Sequence, residues 1–411
     1  MTQPHIPGNV QRKVPINLRQ SGTSDARMLI NGQQRKSPFW HLTQQHDVVA
    51  FSVYNHMYMP RCYTSEAEGG LLKEHEYLTK HVTLWDVSAE RQIRIKGPGA
   101  FDFANFLVTR ELNGKCPVNQ ARYVILCDEK GGIVNDPVLL RIAEDEIWLS
   151  ISDSDVLLWA KGVNYPGRYE VEIDEIDVSP LQIQGPKAKD LMHKLFGDAI
   201  LDIRYYGLWQ TEQDGMDLVI SRTGFSTELG YEVYLRNAMV HADQLWNLIM
   251  EGGEEFGLRV IAPNHIRRLE GGILLYRQDI DIETNPFEVG LDWQVDLAKP
   301  DFIGKRARAE IKRRGVTRRL VGLTVGGDPI TWYSPDFYVV KDASGGEEIG
   351  YVTSAFYSPR LATNIALAML PVSHSTLGTS LTVALPNHAD PVAAIVVQVP
   401  FFDPHKHIPK G

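Results

Sequence analysis

The sequence predicts an α+β protein in which two related α/β lobes meet about a shared cleft and precede a C-terminal antiparallel β-barrel. The first observation is a weak internal repeat, RQIRIKGPGAFDFANFL at 91–107 and PLQIQGPKAKDLMHKLF at 180–196. In each copy an alternating strand runs into Gly-Pro and then into a helical pattern, with Gly97 and Gly185 at equivalent places. Proline just after a turn is favoured at the first positions of a helix, so both copies are predicted to be strand–turn–helix units.

The second observation is a change of pattern beyond residue 315. Short apolar or alternating runs are separated there by Gly, Pro, Asp and Asn: RRLVGLTV, FYVVKD, EEIGYVTSAFY, NIALAML, SLTVALP and AAIVVQV. This is typical of a small antiparallel barrel or sandwich. The preceding segment, DFIGKRARAEIKRRG (301–315), predicts a cationic amphipathic connector helix whose charges form a solvated face rather than a binding patch.

The expected organisation is therefore a polar N-terminal arm at 1–40, a central region with both lobes at 41–310, and a barrel domain at 311–411. The arm carries six Lys or Arg against one acid and has no apolar period. A solvated tail is favoured over a docking role against a partner subunit.

The segment PNHIRRLEGGILLYRQDIDIETNPFEVGL (263–291) predicts a long helix followed by a charged loop. Four apolar residues recur at the spacing of one helix face: Ile266, Leu269, Ile273 and Tyr276. Arg268 and Glu270 lie on the opposite face. The pair Gly271-Gly272 is unfavourable inside a helix, so something is expected to approach the backbone there.

Composition favours a large soluble enzyme with a small-molecule ligand. The 411 residues are 43% hydrophobic and 23% charged, enough to fill more than one core. Neither an apolar run long enough to cross a membrane nor a signal peptide is present, so a cytoplasmic location without membrane contact is expected. The formal net charge of −9 argues against nucleic-acid binding, which needs a basic surface.

Familiar catalytic and metal-binding motifs are missing. The three cysteines are widely spaced without CxxC, which favours buried reduced thiols. His405 and His407 lie in a polar terminal segment and are interpreted as incidental, so no metal site is expected. The sequence also lacks GxxxxGK[ST], HExxH and GxSxG, which removes support for nucleotide, zinc-peptidase and serine-hydrolase functions.

Together with 263–291, several motifs resemble the tetrahydrofolate-dependent aminomethyltransferase family, the glycine cleavage T-proteins. They are LWDVSAERQIRIKGPGA (84–100), GGIVNDPV (131–138), LQIQGPKAKDLM (181–192), RTGFSTELGYEVYL (222–235) and DFIGKRA (301–307). The likeness covers most of residues 50–400, and VYN, ISDSD, AKG and YSP extend it toward the branch that demethylates dimethylsulfoniopropionate. The resemblance implies a three-lobed fold, a folate-binding cleft and tetrahydrofolate as cofactor.

A pterin is a flat polar ring that aromatic side chains stack against and that a carboxylate binds at its N–H edge. In GYEVYL, strand alternation sends Glu232 and Tyr234 to the same side. Glu232 matches the family's pterin-binding Glu, and the alternative is an exposed strand charge. The resemblance also assigns Tyr205 and Tyr206 to the folate pocket.

The same resemblance carries over two residues of the 263–291 segment. Arg268 in RRLEGG matches the Arg of the family's RLEAG motif, and Tyr276 matches the Tyr of its LYG motif. Both are expected near bound folate. The alternatives are an internal ion pair for Arg268 and core packing for Tyr276.

The catalytic assignment rests on Asn135 and Asp136, where the chain reads VND and its glycine-cleaving relatives read IDD. The relatives place the first Asp near the reactive folate nitrogen, where a charged acid helps to handle an amine. Methyl transfer from a sulfonium leaves a neutral thioether and mainly requires collinear placement of two reactants. Asn135 is consistent with that chemistry.

Around the methyl donor, the resemblance places Tyr54, Ser150, Phe225 and Tyr234. A sulfonium is a compact cation that can lie against aromatic faces. Phe225 stands where the demethylase branch has Trp, and each aromatic has a core-packing alternative. Arg222 and Arg204 are candidates for binding a donor carboxylate, with a surface role equally favoured.

The expected function is a cytoplasmic enzyme that transfers a methyl group from dimethylsulfoniopropionate to tetrahydrofolate, giving 3-methylthiopropionate and 5-methyltetrahydrofolate. The alternatives are another methyl donor (a methylated amine, another sulfonium or an aromatic methyl ether) and a folate-binding accessory protein without turnover. The partners expected are folate and the small donor, and a homodimer is the assembly considered.

Overall fold

The computed structural model describes residues 32–334 and 337–411, so most of the predicted arm lies outside the described residues. The helices are α1 (Trp40–Thr43), α2 (Gly70–Lys80), α3 (Ala100–Leu107), α4 (Val156–Val163), α5 (Ala188–Phe196), α6 (Ala238–Gly253), α7 (His265–Glu270), α8 (Lys305–Arg314) and α9 (His407–Lys410). The first fifteen strands are β1 (Ala50–Tyr54), β2 (Met57–Cys62), β3 (Thr83–Asp86), β4 (Gln92–Lys96), β5 (Gln120–Tyr123), β6 (Leu126–Cys127), β7 (Ile133–Asn135), β8 (Val138–Ala143), β9 (Glu146–Ser150), β10 (Glu172–Glu175), β11 (Val178–Gln184), β12 (Leu208–Gln213), β13 (Met216–Ser221), β14 (Gly230–Arg236) and β15 (Arg259–Val260). The remaining strands are β16 (Arg318–Val325), β17 (Tyr338–Lys341), β18 (Glu348–Ser358), β19 (Thr363–Pro371), β20 (Ser380–Val383) and β21 (Val392–Val397).

One compact unit, the sheet unit, comprises Gln33–Asn264, Trp293–Ala309 and His405–Gly411. It contains a five-stranded sheet, ordered β10-β4-β9-β8-β5, and a six-stranded sheet, ordered β12-β13-β14-β11-β3-β15. Helices α3 and α4 cover the outer face of the first sheet, and α5 and α6 cover that of the second. The inner faces pack on each other through residues such as Leu140, Trp148, Val219 and Tyr234. The layers therefore run helix, sheet, sheet, helix.

The internal repeat is confirmed as two strand–turn–helix units. β4 leads through Gly97 into α3, and β11 leads through Gly185 into α5, so each copy supplies one strand and one covering helix to its own sheet. Gly97 has φ +136° and Gly185 φ +127°. A Cβ would lie 2.6 Å from the Glu170 carbonyl oxygen at Gly97 and 2.4 Å from that of His81 at Gly185. Only glycine fits both turns.

The other compact unit, the barrel unit, comprises His265–Asp292 and the described residues of Glu310–Pro404. Its six strands close in the order β16-β19-β18-β17-β20-β21, with antiparallel neighbours throughout. Each of the six apolar runs seen in the sequence forms one of these strands. The predicted fold class, α+β with a C-terminal antiparallel barrel, is confirmed.

Two further properties concern the described ranges as a whole. No helix in them has the length and apolar character needed to cross a membrane. Cys62, Cys116 and Cys127 are buried free thiols, as expected from their spacing.

The long helix predicted over 266–276 is wrong, because α7 ends at Glu270. Gly272 adopts φ +67°, and the Ile273 amide turns back to donate to the Arg268 carbonyl at 2.9 Å. The apolar period continued past this point, but a left-handed glycine ends a helix. The expected close approach is present, since a Cβ on Gly272 would lie 2.6 Å from Cγ1 of Val399.

The connector helix is confirmed as α8, with one exception to its expected solvated face. Arg308 is fully buried, and only its Nη1 donates a hydrogen bond, to the Ile303 carbonyl at 2.7 Å. Within residues 32–334 and 337–411, its Nε and Nη2 have no acceptor. Burial lowers the pKa of this guanidinium to about 10. An unsatisfied buried cation destabilises the folded state.

Replacing this cation should therefore stabilise the protein. We expect Arg308→Met to raise the free energy of unfolding by about 1–3 kcal/mol, the range for relieving an unsatisfied buried polar group. Denaturant unfolding measures it, with Arg306→Met on the exposed side of α8 as the matched control. A loss of stability in Arg308→Met alone would contradict the interpretation.

Candidate functional site

Glu232 lies in the middle of β14, between its two neighbouring strands. Strand register sets Gln182 of β11 directly opposite on one side and Ser221 of β13 on the other. Gln182 Nε2 donates to Glu232 Oε1 at 2.6 Å. Oε2 accepts from Ser221 Oγ at 3.3 Å, from Tyr234 Oη at 2.8 Å and from Thr223 Oγ1. The predicted shared side of Glu232 and Tyr234 is confirmed, and an exposed strand charge is excluded.

A second carboxyl, Glu90, lies close to Glu232 across the packed sheets. Ser150 Oγ donates to Glu90 Oε2 at 3.2 Å, and Gln92 Nε2 donates to Ser150 Oγ at 2.8 Å. Burial raises the pKa of Glu90 well above its usual value, and the negative charges of Glu232 and Asp136 raise it further. Burial also raises the pKa of Glu232, against the hydrogen bonds that favour its ionised form.

Phenols surround these acids. Burial, followed by the charges of Glu90 and Asp136, raises the pKa of Tyr54. The pKa of Tyr234 rises because of burial and then because of Glu232 and Glu90. Both side chains therefore stay neutral hydrogen-bond donors over the physiological range.

Asp136 extends the same group of residues, since Tyr123 Oη donates to its Oδ2 at 3.0 Å. These groups form what we call the acid–phenol cluster: Glu90, Asp136, Glu232, Tyr54, Tyr123 and Tyr234. Its members belong to the sheet unit, and four of them were already candidates from the sequence. Glu90 and Tyr123 were not. Glu90 stands inside the LWDVSAERQ motif, and that position was the available signal.

Asn135, the predicted marker of the reaction type, has its amide fully engaged inside the protein. Its Nδ2 donates to the Ser152 carbonyl at 2.9 Å and to Ser154 Oγ at 2.8 Å. Its Oδ1 accepts from the Ser152 amide at 3.0 Å. Asn135 thus anchors the loop that follows Ser150, and this loop borders the cluster.

Three of the predicted aromatic site residues, Tyr205, Tyr206 and Phe225, lie outside the cluster. The Tyr205 and Tyr206 rings are half-buried and meet edge to face, with centroids 4.8 Å apart. Glu232 contributes to the raised pKa of Tyr206, after burial and Tyr205, so this pair lies near the carboxylate. Phe225 is half-buried and packs with Trp85, Val87 and Ile261.

Arg268 and Tyr276 belong to the barrel unit. Arg268 is fully buried and pairs with Asp279 at 2.5 Å, while its Nη2 donates to Ser354 Oγ at 2.7 Å. Tyr276 is buried and forms an isolated bridge with Ile280. These are the internal ion pair and the packing considered as alternatives, and a folate contact for either residue stays a prediction.

Of the two candidate anchors for a donor carboxylate, Arg204 is exposed and Arg222 is buried. The Nη2 of Arg222 donates to the carbonyls of Pro409 at 3.2 Å and Gly411 at 3.3 Å. Its main chain bonds to Tyr206 and Gly207. A surface role for Arg222 was therefore wrong, because its guanidinium binds α9 and the residue after it.

An open groove of about 400 Å³ lies at the start of β11, and no member of the cluster lines it. Its basic residues are Arg35, Lys36 and Arg91, and it reaches Gln92. Both arginines are paired with Glu175.

In the described part of the chain, no group of three or more His, Cys, Asp or Glu side chains could hold a metal ion.

Comparison with known proteins places this arrangement in a family. Residues 39–299 match the GCVT N-terminal domain, and residues 318–403 match the glycine cleavage T-protein C-terminal barrel domain. The chain belongs to the glycine cleavage T-protein family. The predicted family is therefore confirmed. The prediction that the protein is a tetrahydrofolate-dependent enzyme of the demethylase or aminomethyltransferase kind is confirmed as well.

Individual relatives agree with this result. The chain is 36% identical over 358 residues to dimethylsulfoniopropionate demethylase of Ruegeria pomeroyi, covering 87% of this chain and 95% of that protein. It is 35% identical over 352 residues to the aminomethyltransferase of Thermotoga maritima, covering 84% and 91%. The crystal structure of aminomethyltransferase T from Bartonella henselae shares the fold, with a TM-score of 0.79, 24% identity and coverage of 90% and 98%.

The residues present fit a folate. Carboxylates bind the N–H edge of a pterin, and Glu232 is a buried carboxyl near the Tyr205–Tyr206 pair. Oε2 of Glu232 accepts three hydrogen bonds, so a ligand at that oxygen must displace a protein donor. The hydroxyls of Ser221 and Thr223 lie within hydrogen-bond distance of each other, so one of them can turn its proton from Glu232 to the other hydroxyl.

Glu232→Gln should weaken tetrahydrofolate binding by about 1–3 kcal/mol, because a charged acceptor becomes neutral. Titration calorimetry measures the affinity, with Glu212→Gln on the exposed face of β12 as the control. Equal affinity in wild type and Glu232→Gln would remove this residue from the folate site.

Asn135→Asp tests the anchoring role of the amide. The carboxylate cannot donate to the Ser152 carbonyl, so we expect a loss of about 1–3 kcal/mol in unfolding free energy at neutral pH. Burial raises the pKa of the new carboxyl in the folded state, so the loss should shrink as the pH falls and the group protonates. Chemical denaturation at pH 5 and pH 8 measures both effects, and an equal loss at the two values would contradict this account.

Proposed function

We propose that the protein transfers a methyl group from dimethylsulfoniopropionate to tetrahydrofolate, giving 3-methylthiopropionate and 5-methyltetrahydrofolate. The observation that carries the proposal is the charge of the acid–phenol cluster. Glu90 and Glu232 form no ion pair with a Lys, Arg or His among the residues that the structure describes. A cation beside these carboxyls favours their ionised form, so binding and ionisation stabilise each other.

The similarity to the Ruegeria pomeroyi demethylase supports the same donor. Dimethylsulfoniopropionate carries a sulfonium cation, which suits an acidic pocket lined by phenols. Tyr54, Ser150, Phe225 and Tyr234 are the residues that we assign to the donor. Glu232, Tyr205 and Tyr206 are assigned to the pterin.

Methyl transfer depends more on how the donor and the folate are positioned than on proton transfer. When bound, tetrahydrofolate supplies N5 as nucleophile; the S–CH₃ bond breaks, its electron pair stays on sulfur as a neutral thioether, and the N5 proton leaves. The protein's contribution is to hold both reactants collinear and to exclude water. The carboxylate of Asp136, which accepts a hydrogen bond from the Tyr123 hydroxyl, is the base assigned to receive that proton, and Asn135 fixes the loop beside it.

A second candidate is a methylated amine as donor. Its ammonium has the same charge as a sulfonium, and several of the relatives are aminomethyltransferases. Both candidates give 5-methyltetrahydrofolate, because raising a methyl carbon to the methylene level would need a two-electron oxidant, so they differ in which donor is consumed. A neutral aromatic ether lacks the charge that the cluster favours.

Incubation of the purified protein with tetrahydrofolate and a panel of donors tests the proposal. We expect 5-methyltetrahydrofolate, detected by mass, from dimethylsulfoniopropionate, and no methylenetetrahydrofolate. Formation of 5-methyltetrahydrofolate from a methylated amine, with none from dimethylsulfoniopropionate, would instead favour the second candidate. A cytoplasmic location and a homodimer belong to the same proposal, and light scattering of the purified protein tests the dimer.

A further inference from the structure

The two central carboxyls of the cluster differ in how far the protein satisfies them. Glu232 accepts four hydrogen bonds, from Gln182, Ser221, Thr223 and Tyr234. Three of these bonds reach Oε2 and one reaches Oε1, so the protein supplies a donor to each oxygen of Glu232. Glu90 accepts one hydrogen bond, from Ser150, and in the described ranges no other donor reaches it.

Glu90 is nevertheless held in place. Gln92 is fully buried, and its Nε2 bridges the Glu90 carbonyl at 2.5 Å and Ser150 Oγ at 2.8 Å. Register explains the arrangement, because Gln92 of β4 is directly opposite Ser150 of β9. Glu90 is thus held at its main-chain carbonyl by Gln92 and at Oε2 by Ser150, while Oε1 accepts no hydrogen bond from the described residues.

The surroundings of that open oxygen are negative. Glu232 and Asp136 are close enough to disfavour ionisation of Glu90, and Tyr54 and Tyr234 respond to its charge. Glu90 is also half-buried rather than enclosed. A fixed, partly exposed acceptor beside other acids, with no cation from the protein, is complementary to a cationic ligand.

We propose that Glu90 contacts the cationic group of the methyl donor and sets the preference of the site for cationic over neutral donors. This inference rests on the proposed function of the same site. It makes Glu90 a specificity-determining residue rather than a residue that accelerates the chemical step. The donor loses its positive charge as the methyl group leaves, so a contact with that charge weakens toward the transition state.

The kinetic consequence separates this role from a general loss of structure. Removing the charge of Glu90 should raise KM for the cationic donor about tenfold to hundredfold, the effect of losing a hydrogen-bonded charge. The value of kcat should not fall with it, because the lost contact favours the ground state. A structural role predicts lower kcat, weaker folate binding and lower stability together.

The experiment compares dimethylsulfoniopropionate with 4-methylpentanoate, in which carbon replaces the sulfonium. Binding constants of both compounds are measured on wild type, Glu90→Gln, Glu90→Asp and the exposed control Glu212→Gln, with folate affinity as a separate readout. We expect wild type and Glu212→Gln to prefer the cation, Glu90→Gln to lose at least about tenfold of that preference, and Glu90→Asp to keep part of it.

The outcomes separate the two proposals. A wild-type protein that binds the neutral compound as well as the cation would overturn the sulfonium donor itself. Wild-type preference for the cation, kept unchanged in Glu90→Gln, would overturn only the role of Glu90. If Glu90→Gln lost folate, cation and neutral compound alike while Glu90→Asp behaved in the same way, the residue would be structural and the inference wrong.

Discussion

The burial of Glu232 between two packed sheets is the constraint on which the rest of the site depends. An ionisable carboxyl can occupy such a place only if hydrogen bonds replace the water it loses. Strand register provides two of the donors, since Gln182 and Ser221 are its direct neighbours in β11 and β13. Tyr234, two residues along the same strand, and Thr223 in the adjoining loop provide the others. The pairing of strands in the six-stranded sheet therefore determines which donors surround Glu232.

The internal repeat explains how a second acid reaches this place. Each copy contributes a strand to one of the two sheets, and the sheets face each other through Trp148, Tyr234 and their neighbours. Glu90 lies in the connection that leads from β3 of the six-stranded sheet into β4 of the five-stranded sheet, and Glu232 lies in β14 of the six-stranded sheet. Two carboxyls that lie close together in an environment of low polarity raise each other's pKa. Their repulsion destabilises the folded state, and such a cost is tolerated at a site where it favours ligand binding. A cation is the ligand that relieves this repulsion.

Members of one family with one scaffold can then differ in donor through a few positions. The shared part is the layered sheet unit with the barrel, as the likeness to an aminomethyltransferase structure illustrates. The variable part is local. The amide of Asn135 binds the 152–154 loop and presents no charge. Function in such a family has to be argued from the site rather than from the shared fold.

The sequence by itself determined the elements that depend on local pattern. The two strand–turn–helix units, the six barrel strands and the common side of Glu232 and Tyr234 follow from periodicity and glycine chemistry over a few residues. The predicted length of α7 was wrong for a local reason, because the left-handed Gly272 ends the helix although the apolar spacing continues. Other features were decided by tertiary structure: the proximity of Glu90 to Glu232, the internal bonding of Asn135 and Arg222, and the burial of Arg308. Each depends on which distant segments share a layer, and contacts between residues far apart in the chain leave no period in the sequence.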